Sequence, residues 1–213
     1  NKTREVIHID YENLQDGVPF PAAAREFLEW CGEDYRFCTW GDLDVMELQR
    51  NMKYYELLQL IPGPVTYYDV QKLFAFRYEE NRERRALEFA IDQLGIRTKQ
   101  EFHLALADAY YTACVLQKIE EDFIFSNPSL DVYQNPKTRK EEIHISSPGF
   151  SRYVSREFGS REKVMKDREV TSTRCPVCGK AAKRKIRWFM NNSKVYYSVS
   201  CCQEHGYVEG KIR

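Results

Sequence analysis

Two short pairs of metal-ligating side chains near the C-terminus constrain the fold more than any other feature of the chain. Cys175 and Cys178 form a Cys-x2-Cys pair, and after 23 intervening residues Cys202 and His205 form a Cys-x2-His pair. Two such knuckles supply the four tetrahedral ligands of a zinc ribbon, with room between them for a β-hairpin. We therefore expect one structural Zn²⁺ and a small β zinc ribbon over residues 173–213. A redox Cys-x2-Cys pair is the alternative, and the Cys-x2-His partner argues against it.

The other four of the seven cysteines are not expected to bind the metal. Cys201 neighbours Cys202 on a predicted strand, so its side chain should point away from the metal. Cys31, Cys38 and Cys114 stand singly in apolar surroundings, which predicts small core residues. No signal peptide is visible in the sequence. A metal site in a reducing, cytoplasmic compartment is therefore favoured over disulfides.

The charge of the chain is uneven and indicates a nucleic-acid partner. Residues 173–213 hold nine Lys and Arg against two Asp and Glu, a net +7, whereas residues 1–120 carry −7. Cations interleaved with aromatic rings suit single-stranded RNA or DNA, because cations meet phosphates and rings stack on bases. The candidate nucleic-acid-binding residues of the hairpin are Lys183, Arg184, Lys185, Arg187 and Trp188. Two alternatives stay open: the aromatic residues fill a small core beneath exposed cations, or the ribbon binds a protein.

Length and composition indicate one ordinary globular domain joined to a small module. The chain has 213 residues, 43% hydrophobic and 30% charged, which is typical of soluble globular proteins. No run of eighteen apolar residues occurs, so no membrane-spanning helix is expected.

Apolar periodicity over the first 120 residues predicts helices alternating with strands, and hence an α/β domain. We expect helices over 19–32, 42–55, 81–96 and 104–120, and strands over 35–40 and 65–70. The pattern weakens over 123–172, which we interpret as a connecting segment with strands and a short surface helix. The predicted domains are therefore 1–122, 123–172 and 173–213.

Two carboxylates and a histidine lie at predicted strand and helix ends, where catalytic groups are often found. Asp44 follows the strand-like run "FCTWGD", and His103 precedes Asp108 at the start of an apolar helix. Hard oxygen ligands can hold two Mg²⁺ or Mn²⁺ ions, and a histidine can take a proton from an attacking water. Singly, each residue has a plainer interpretation, since Asp44 can cap a helix and His103 can be a satisfied surface group.

Together, these residues resemble the motifs of a known family. "FCTWGDLDVMELQRN" is similar to the second motif, and "HLALADAYYTA" to the third, of the DEDDh 3′–5′ exonucleases. These belong to the RNase H-like superfamily and include RNase T and the proofreading subunit of DNA polymerase III. The likeness covers about residues 15–120 and is nearest to Firmicutes-type exonucleases with an added C-terminal segment. It implies an RNase H-like fold, Asp44 and Asp108 as ligands of two Mg²⁺ or Mn²⁺ ions, His103 as general base, and hydrolysis of phosphodiesters at a 3′ end.

The resemblance departs from the family at the first motif, which should be Asp-x-Glu on the first strand. Asp10 and Glu12 offer that pattern, but far fewer residues separate them from Asp44 than separate the first and second motifs in the family. We therefore expect the true first motif upstream of Asn1 and poor activity for this chain. Trp40 is expected to line the cleft near the terminal nucleotide, or else to belong to the core. The alternative function is non-catalytic nucleic-acid binding by a degenerate nuclease fold and its ribbon.

Overall fold

The computed structural model of the protein describes residues 17–98, 102–147, 149–190 and 195–212. The chain divides into two compact units, residues 1–134 and 135–213. Asp10 and Glu12 lie outside the described residues. No helix within the described ranges is long and apolar enough to cross a membrane.

The first unit is a mixed α/β structure, as the sequence predicts. Its helices and strands, in chain order, are α1 (Phe20–Cys31), β1 (Phe37–Thr39), α2 (Leu43–Tyr54), a 3-10 turn (Leu58–Leu60), β2 (Val65–Asp69), α3 (Val70–Tyr78), α4 (Leu87–Gln93), α5 (Ala105–Leu116), α6 (Glu121–Phe125) and β3 (Ser129–Asp131). The sheet has the order β1-β2-β3, with β1 parallel and β3 antiparallel to β2.

Local sequence chemistry explains the limits of several helices. Pro21 lies in the first turn of α1, where its missing N–H removes no hydrogen bond, and Gly32 ends the helix with φ +72°. The helix α3 follows β2 without a loop, because the Asp69 carboxylate caps it by accepting from the Lys72 N–H at 2.9 Å. We did not predict α3. The helix α4 begins at Leu87 rather than near residue 81.

Two apolar clusters form the core of the first unit. One joins α3, α4 and α5 through Val70, Phe74, Leu87, Ala90, Ile91, Ala107, Tyr111 and Val115. The other joins α1, α2 and β2 through Ala24, Val45, Met52, Leu57, Ile61, Val65 and Tyr67. Cys31 and Cys114 are half-buried, but Cys38 is exposed, so its prediction as a core residue was wrong. In the three-residue strand β1, the half-buried Phe37 and Thr39 face the opposite way from Cys38.

A buried polar network anchors β3 within the first unit. The Gln49 side chain is fully buried and donates to the Asp131 carboxylate at 2.6 Å. Gln134 donates to the Gln49 side-chain oxygen at 3.0 Å and to the Ile61 carbonyl at 2.7 Å. These bonds satisfy groups that would be costly to bury unpaired. The start of the predicted connecting segment, 123–172, thus supplies a strand to this sheet.

The second unit contains a hairpin, two short helices and a three-stranded sheet. Its elements are a 3-10 turn (Arg139–Glu141), β4 (Ile143–Ser147), β5 (Phe150–Val154), α7 (Arg161–Lys166), α8 (Arg168–Thr171), β6 (Lys183–Met190), β7 (Tyr196–Cys202) and β8 (Gly206–Ile212). The strands β4 and β5 pair antiparallel, and β6, β7 and β8 form an antiparallel meander.

Ionic contacts connect the β4–β5 hairpin to the helices that precede the ribbon. The Glu142 carboxylate accepts from the Tyr153 hydroxyl at 2.5 Å and also binds the Arg156 guanidinium. Arg156 lies 3.7 Å from Asp167, whose carboxylate caps α8. Burial alone would raise the pKa of Glu142, but the hydrogen bonds from Tyr153 and Arg156 outweigh it and lower that pKa.

Candidate metal centre

The four predicted metal ligands converge on one point of the ribbon. The ligand atoms of Cys175, Cys178, Cys202 and His205 all lie within 4.8 Å of one another. The His205 Nδ1 atom is 3.6 Å from the Cys175 sulfur and 3.7 Å from the Cys202 sulfur. The Cys178 and Cys202 sulfurs are 3.7 Å apart. Within the described ranges, this is the one group of three or more His, Cys, Asp and Glu side chains that converges in this way.

These separations match the edges of a tetrahedral zinc site. With Zn–S bonds of about 2.3 Å and a Zn–N bond of about 2.0 Å, the sulfur–sulfur edge is about 3.8 Å and the sulfur–nitrogen edge about 3.5 Å. The donor set therefore fits a metal ion such as zinc. Four protein ligands complete the tetrahedron and leave no position for a substrate, which is the pattern of a structural site.

The two knuckles are shaped by glycine and by backbone amides. Gly179 has φ +69° and Gly206 has φ +81°, so each turn needs the left-handed conformation that glycine adopts at little cost. Hydrogen bonds from the backbone N–H groups of Cys178 and Val177 lower the pKa of Cys175. The N–H of Glu204 and the His205 side chain do the same for Cys202. These donors favour the thiolate form that binds metal.

Cys201 does not belong to the ligand group, as its place in the strand predicts. Its thiol is half-buried and contacts the Cys202 carbonyl at 3.4 Å. Ser200 and Cys202 on either side of it are buried, so Cys201 lies on the opposite face of β7.

The predicted nucleic-acid-binding residues of β6 separate into two groups. Lys183, Arg184, Lys185 and Arg187 are all exposed. The indole N–H of half-buried Trp188 donates to the Thr171 carbonyl at 3.2 Å, and the Arg184 guanidinium donates to the same oxygen at 2.8 Å. Trp188 and Arg184 therefore attach α8 to the ribbon.

His103 and Asp108 are brought together at the start of α5. The His103 backbone N–H donates to the Asp108 carboxylate at 3.1 Å, and His103 itself has φ +69°. The His103 ring is exposed, with Nε2 3.6 Å from the Glu88 carboxylate. The pair thus shares one turn, in which His103 precedes the helix and Asp108 lies within its first turn.

Asp44 and Trp40 lie where β1 leads into α2. Asp44 is exposed in the first turn of α2, and partial desolvation by the surrounding protein raises its pKa. A bound cation would favour the charged carboxylate and so oppose this rise in the pKa of Asp44. Trp40 is half-buried against Phe74, and its indole N–H donates to the Arg85 carbonyl at 3.2 Å. The Trp40 ring therefore contributes to the core.

Within the described residues, Asp44, His103 and Asp108 do not converge as one group of metal ligands. No hydrogen bond or ion pair described in the structure joins Asp44 to His103 or Asp108, and none of the three belongs to a converging ligand group within the described ranges. Asp69, at the end of β2, lies opposite Thr39 of β1 and is a carboxylate that the sequence did not single out. It is buried and engaged by the Lys72 N–H and, at 2.8 Å, by Arg84.

The fold and the site define the chain as a mixed α/β protein with a Cys3His centre suited to a metal ion such as zinc. No family model, curated protein or solved structure matches it.

Proposed function

We propose that the protein is a 3′–5′ exonuclease that uses His103 as general base on a phosphodiester of single-stranded RNA or DNA. The observation that carries the proposal is the contact between the His103 backbone and the Asp108 carboxylate. It fixes the His-x4-Asp pair in one turn, and the imidazole is exposed to solvent.

The neighbours of His103 support this role. Glu88 lies 3.6 Å from His103 Nε2, so it would stabilise the imidazolium formed when the ring takes a proton from water. Trp40, just before Asp44 in the chain, packs against the apolar cluster that contains Ala107 of α5. The segment that leads to Asp44 and the first turn of α5 therefore share one core.

The test is 3′-end degradation of labelled single-stranded RNA and DNA in Mg²⁺ or Mn²⁺. His103→Asn is the sharpest variant, because Asn tolerates a positive φ and cannot act as a base at neutral pH. We expect a loss of about 10²- to 10⁴-fold in rate. His144→Asn is the control, since His144 is also exposed and lies in the other unit. A measurable rate of cleavage that is equal for His103→Asn and the unchanged protein would refute the role of His103.

We also propose that the Cys3His centre holds one structural Zn²⁺ that stabilises the ribbon. The tetrahedral separations of its donor atoms support this assignment. Cys202→Ser should abolish the binding of one zinc per chain and unfold β6–β8, whereas the adjacent Cys201→Ser should retain both metal and fold. Zinc content by atomic emission and circular dichroism measure the two effects. Full zinc retention in Cys202→Ser would exclude Cys202 as a required ligand.

A further inference from the structure

The outer face of the ribbon sheet carries side chains that the metal centre does not use. Ser198, Ser200 and Cys202 are buried on the inner face of β7, so Tyr197, Val199 and Cys201 lie on the other. The cross-strand partners of these three residues share that face. The outer face therefore consists of Lys183, Ile186 and Phe189 of β6, Tyr197, Val199 and Cys201 of β7, and Tyr207, Glu209 and Lys211 of β8.

Large apolar groups on this face are open to solvent. Tyr207 is 77% exposed, and Ile186 and Phe189 are each 50% exposed. The Phe189 and Tyr197 ring centroids are 6.3 Å apart, and the Lys211 ammonium lies 5.4 Å from the Tyr197 ring centroid. Contiguous exposed apolar groups of this kind mark interaction sites.

The charge around the face determines which partner fits it. Lys183 and Lys211 lie on the face, and Lys185 and Arg187 are exposed at the two irregularities in the β6–β7 register. Glu209 is the acidic residue on the face, within a segment of net charge +7. Rings alone would suit any apolar partner, but rings flanked by this excess of cations suit a polyanion with exposed bases.

We propose that this outer face binds single-stranded nucleic acid, with Phe189 and Tyr207 stacking on bases and Lys183 and Lys211 contacting phosphates. A duplex is excluded as the preferred partner, because its base faces are already stacked. This set of binding residues differs from the set that the sequence predicts, because Arg184 and Trp188 both donate hydrogen bonds to the Thr171 carbonyl. It deepens the proposed function by identifying the surface that holds the substrate strand, but it can be tested without cleavage.

The experiment measures fluorescence anisotropy of labelled single-stranded RNA, single-stranded DNA and duplex DNA. The full chain is loaded with zinc and carries His103→Asn to suppress cleavage. Tyr207→Ala and Phe189→Ala should each weaken single-strand binding about five- to 150-fold, which corresponds to the loss of one base-stacking side chain. Tyr54→Ala is the matched control, because Tyr54 is 80% exposed in the other unit, and its affinity should not change.

Charge variants give a second, independent readout. Lys183→Ala should reduce the slope of log K against log salt by about 0.7, the value for one phosphate contact on a single strand. Glu209→Gln should tighten binding, because it removes a carboxylate that repels phosphate. Zinc content and circular dichroism confirm that each variant is folded, and Tyr207→Ala is informative even if Phe189→Ala unfolds, since the Tyr207 ring is mostly exposed.

The outcomes separate this proposal from the exonuclease proposal. Weakened binding by the outer-face variants supports it whether or not the unchanged protein cleaves a 3′ end. Affinities for Tyr207→Ala and Phe189→Ala equal to that of Tyr54→Ala would overturn it, even if cleavage is observed. Failure of the folded, zinc-loaded protein to bind any of the three nucleic acids would also overturn it and point to a protein partner for this face.

Discussion

Replacing Gly210 by alanine tests whether the inner face of the ribbon is as closely packed as the structure shows. Gly210 lies opposite Ser198 in the β7–β8 ladder. A Cβ atom at this position would lie 2.4 Å from the Ser198 hydroxyl oxygen, 2.7 Å from the Trp188 ring and 2.9 Å from the Thr173 hydroxyl oxygen. All three separations are shorter than real Cβ contacts allow.

The expected loss follows from how little these neighbours can move. Rotation of Ser198 could relieve one contact, but the Trp188 ring is held by its hydrogen bond to the Thr171 carbonyl. Overpacking of a well-packed interior costs about 1–3 kcal/mol, and three simultaneous contacts place Gly210→Ala near the upper end, at about 2–3 kcal/mol. For a unit of this size, that loss lowers the melting temperature by roughly 10–20 °C.

Thermal unfolding of the zinc-loaded protein, followed by circular dichroism, measures the change. Gly159→Ala is the matched control, because the added Cβ would meet only the Lys163 ammonium, at 3.9 Å, and the position needs no positive φ. We expect the control to change stability by less than about 1 kcal/mol. Equal melting temperatures for the two variants would refute the close approach of β8 to Trp188 and Ser198.

Three further perturbations have expected outcomes. Glu142→Gln should lower the free energy of unfolding of the second unit by about 2 kcal/mol in urea titrations, because it leaves the 29%-exposed Arg156 without its main partner. The control is Glu157→Gln, since Glu157 is exposed. Equal losses of stability in the two variants would contradict the Glu142–Arg156 pairing. Trp188→Phe should lower the free energy of unfolding by about 1 kcal/mol, because the hydrogen bond to the Thr171 carbonyl is lost. It should leave the affinity for nucleic acid unchanged. A reduced affinity in the folded variant would show that Trp188 belongs to the binding surface. The Arg77 guanidinium lowers the pKa of Glu120 from 4.5 to about 2, so this pair stabilises the fold above about pH 4.5 and loses its effect as the pH falls towards 2. Glu120→Gln should reduce the acid dependence of the urea midpoint in that window, relative to Glu121→Gln, and identical profiles would count against the pair.

The local features of the ribbon could be predicted from the sequence because their determinants lie close together in the chain. Each pair of ligands is separated by two residues, and Gly179 and Gly206 follow the pairs directly. The alternation of β7 likewise assigned Cys202 to the metal and Cys201 to the other face. Helix periodicity was equally informative for α1, α2 and α5, whose apolar residues recur every three to four positions.

The face of each β6 residue could not be read from the sequence, because two irregularities in the register interrupt the alternation of the strand. Ile186 therefore pairs with Val199 of the outer face, although strict alternation from Arg184, the partner of inner-face Ser200, would place it on the inner face. The helix α3 was missed for another reason: it continues from β2 without a turn residue, so one apolar run covers both. The Gln49–Asp131 bond joins residues 82 positions apart, which no local pattern indicates.

The polar inner face of the ribbon bears on how its stability responds to temperature. The hydroxyl groups of Thr173, Tyr196, Ser198 and Ser200 are buried there without a hydrogen-bond partner among the described residues. An interior of this kind hides little apolar surface, so unfolding of the ribbon should show a small heat-capacity change and a flat stability curve. Because the hydrophobic effect would contribute little to its stability, the folded fraction of the ribbon would depend more on the concentration of free metal than on the temperature. With zinc bound at the centre, removal of the metal by a chelator would then unfold the ribbon, and with it the outer face, more readily than moderate heating.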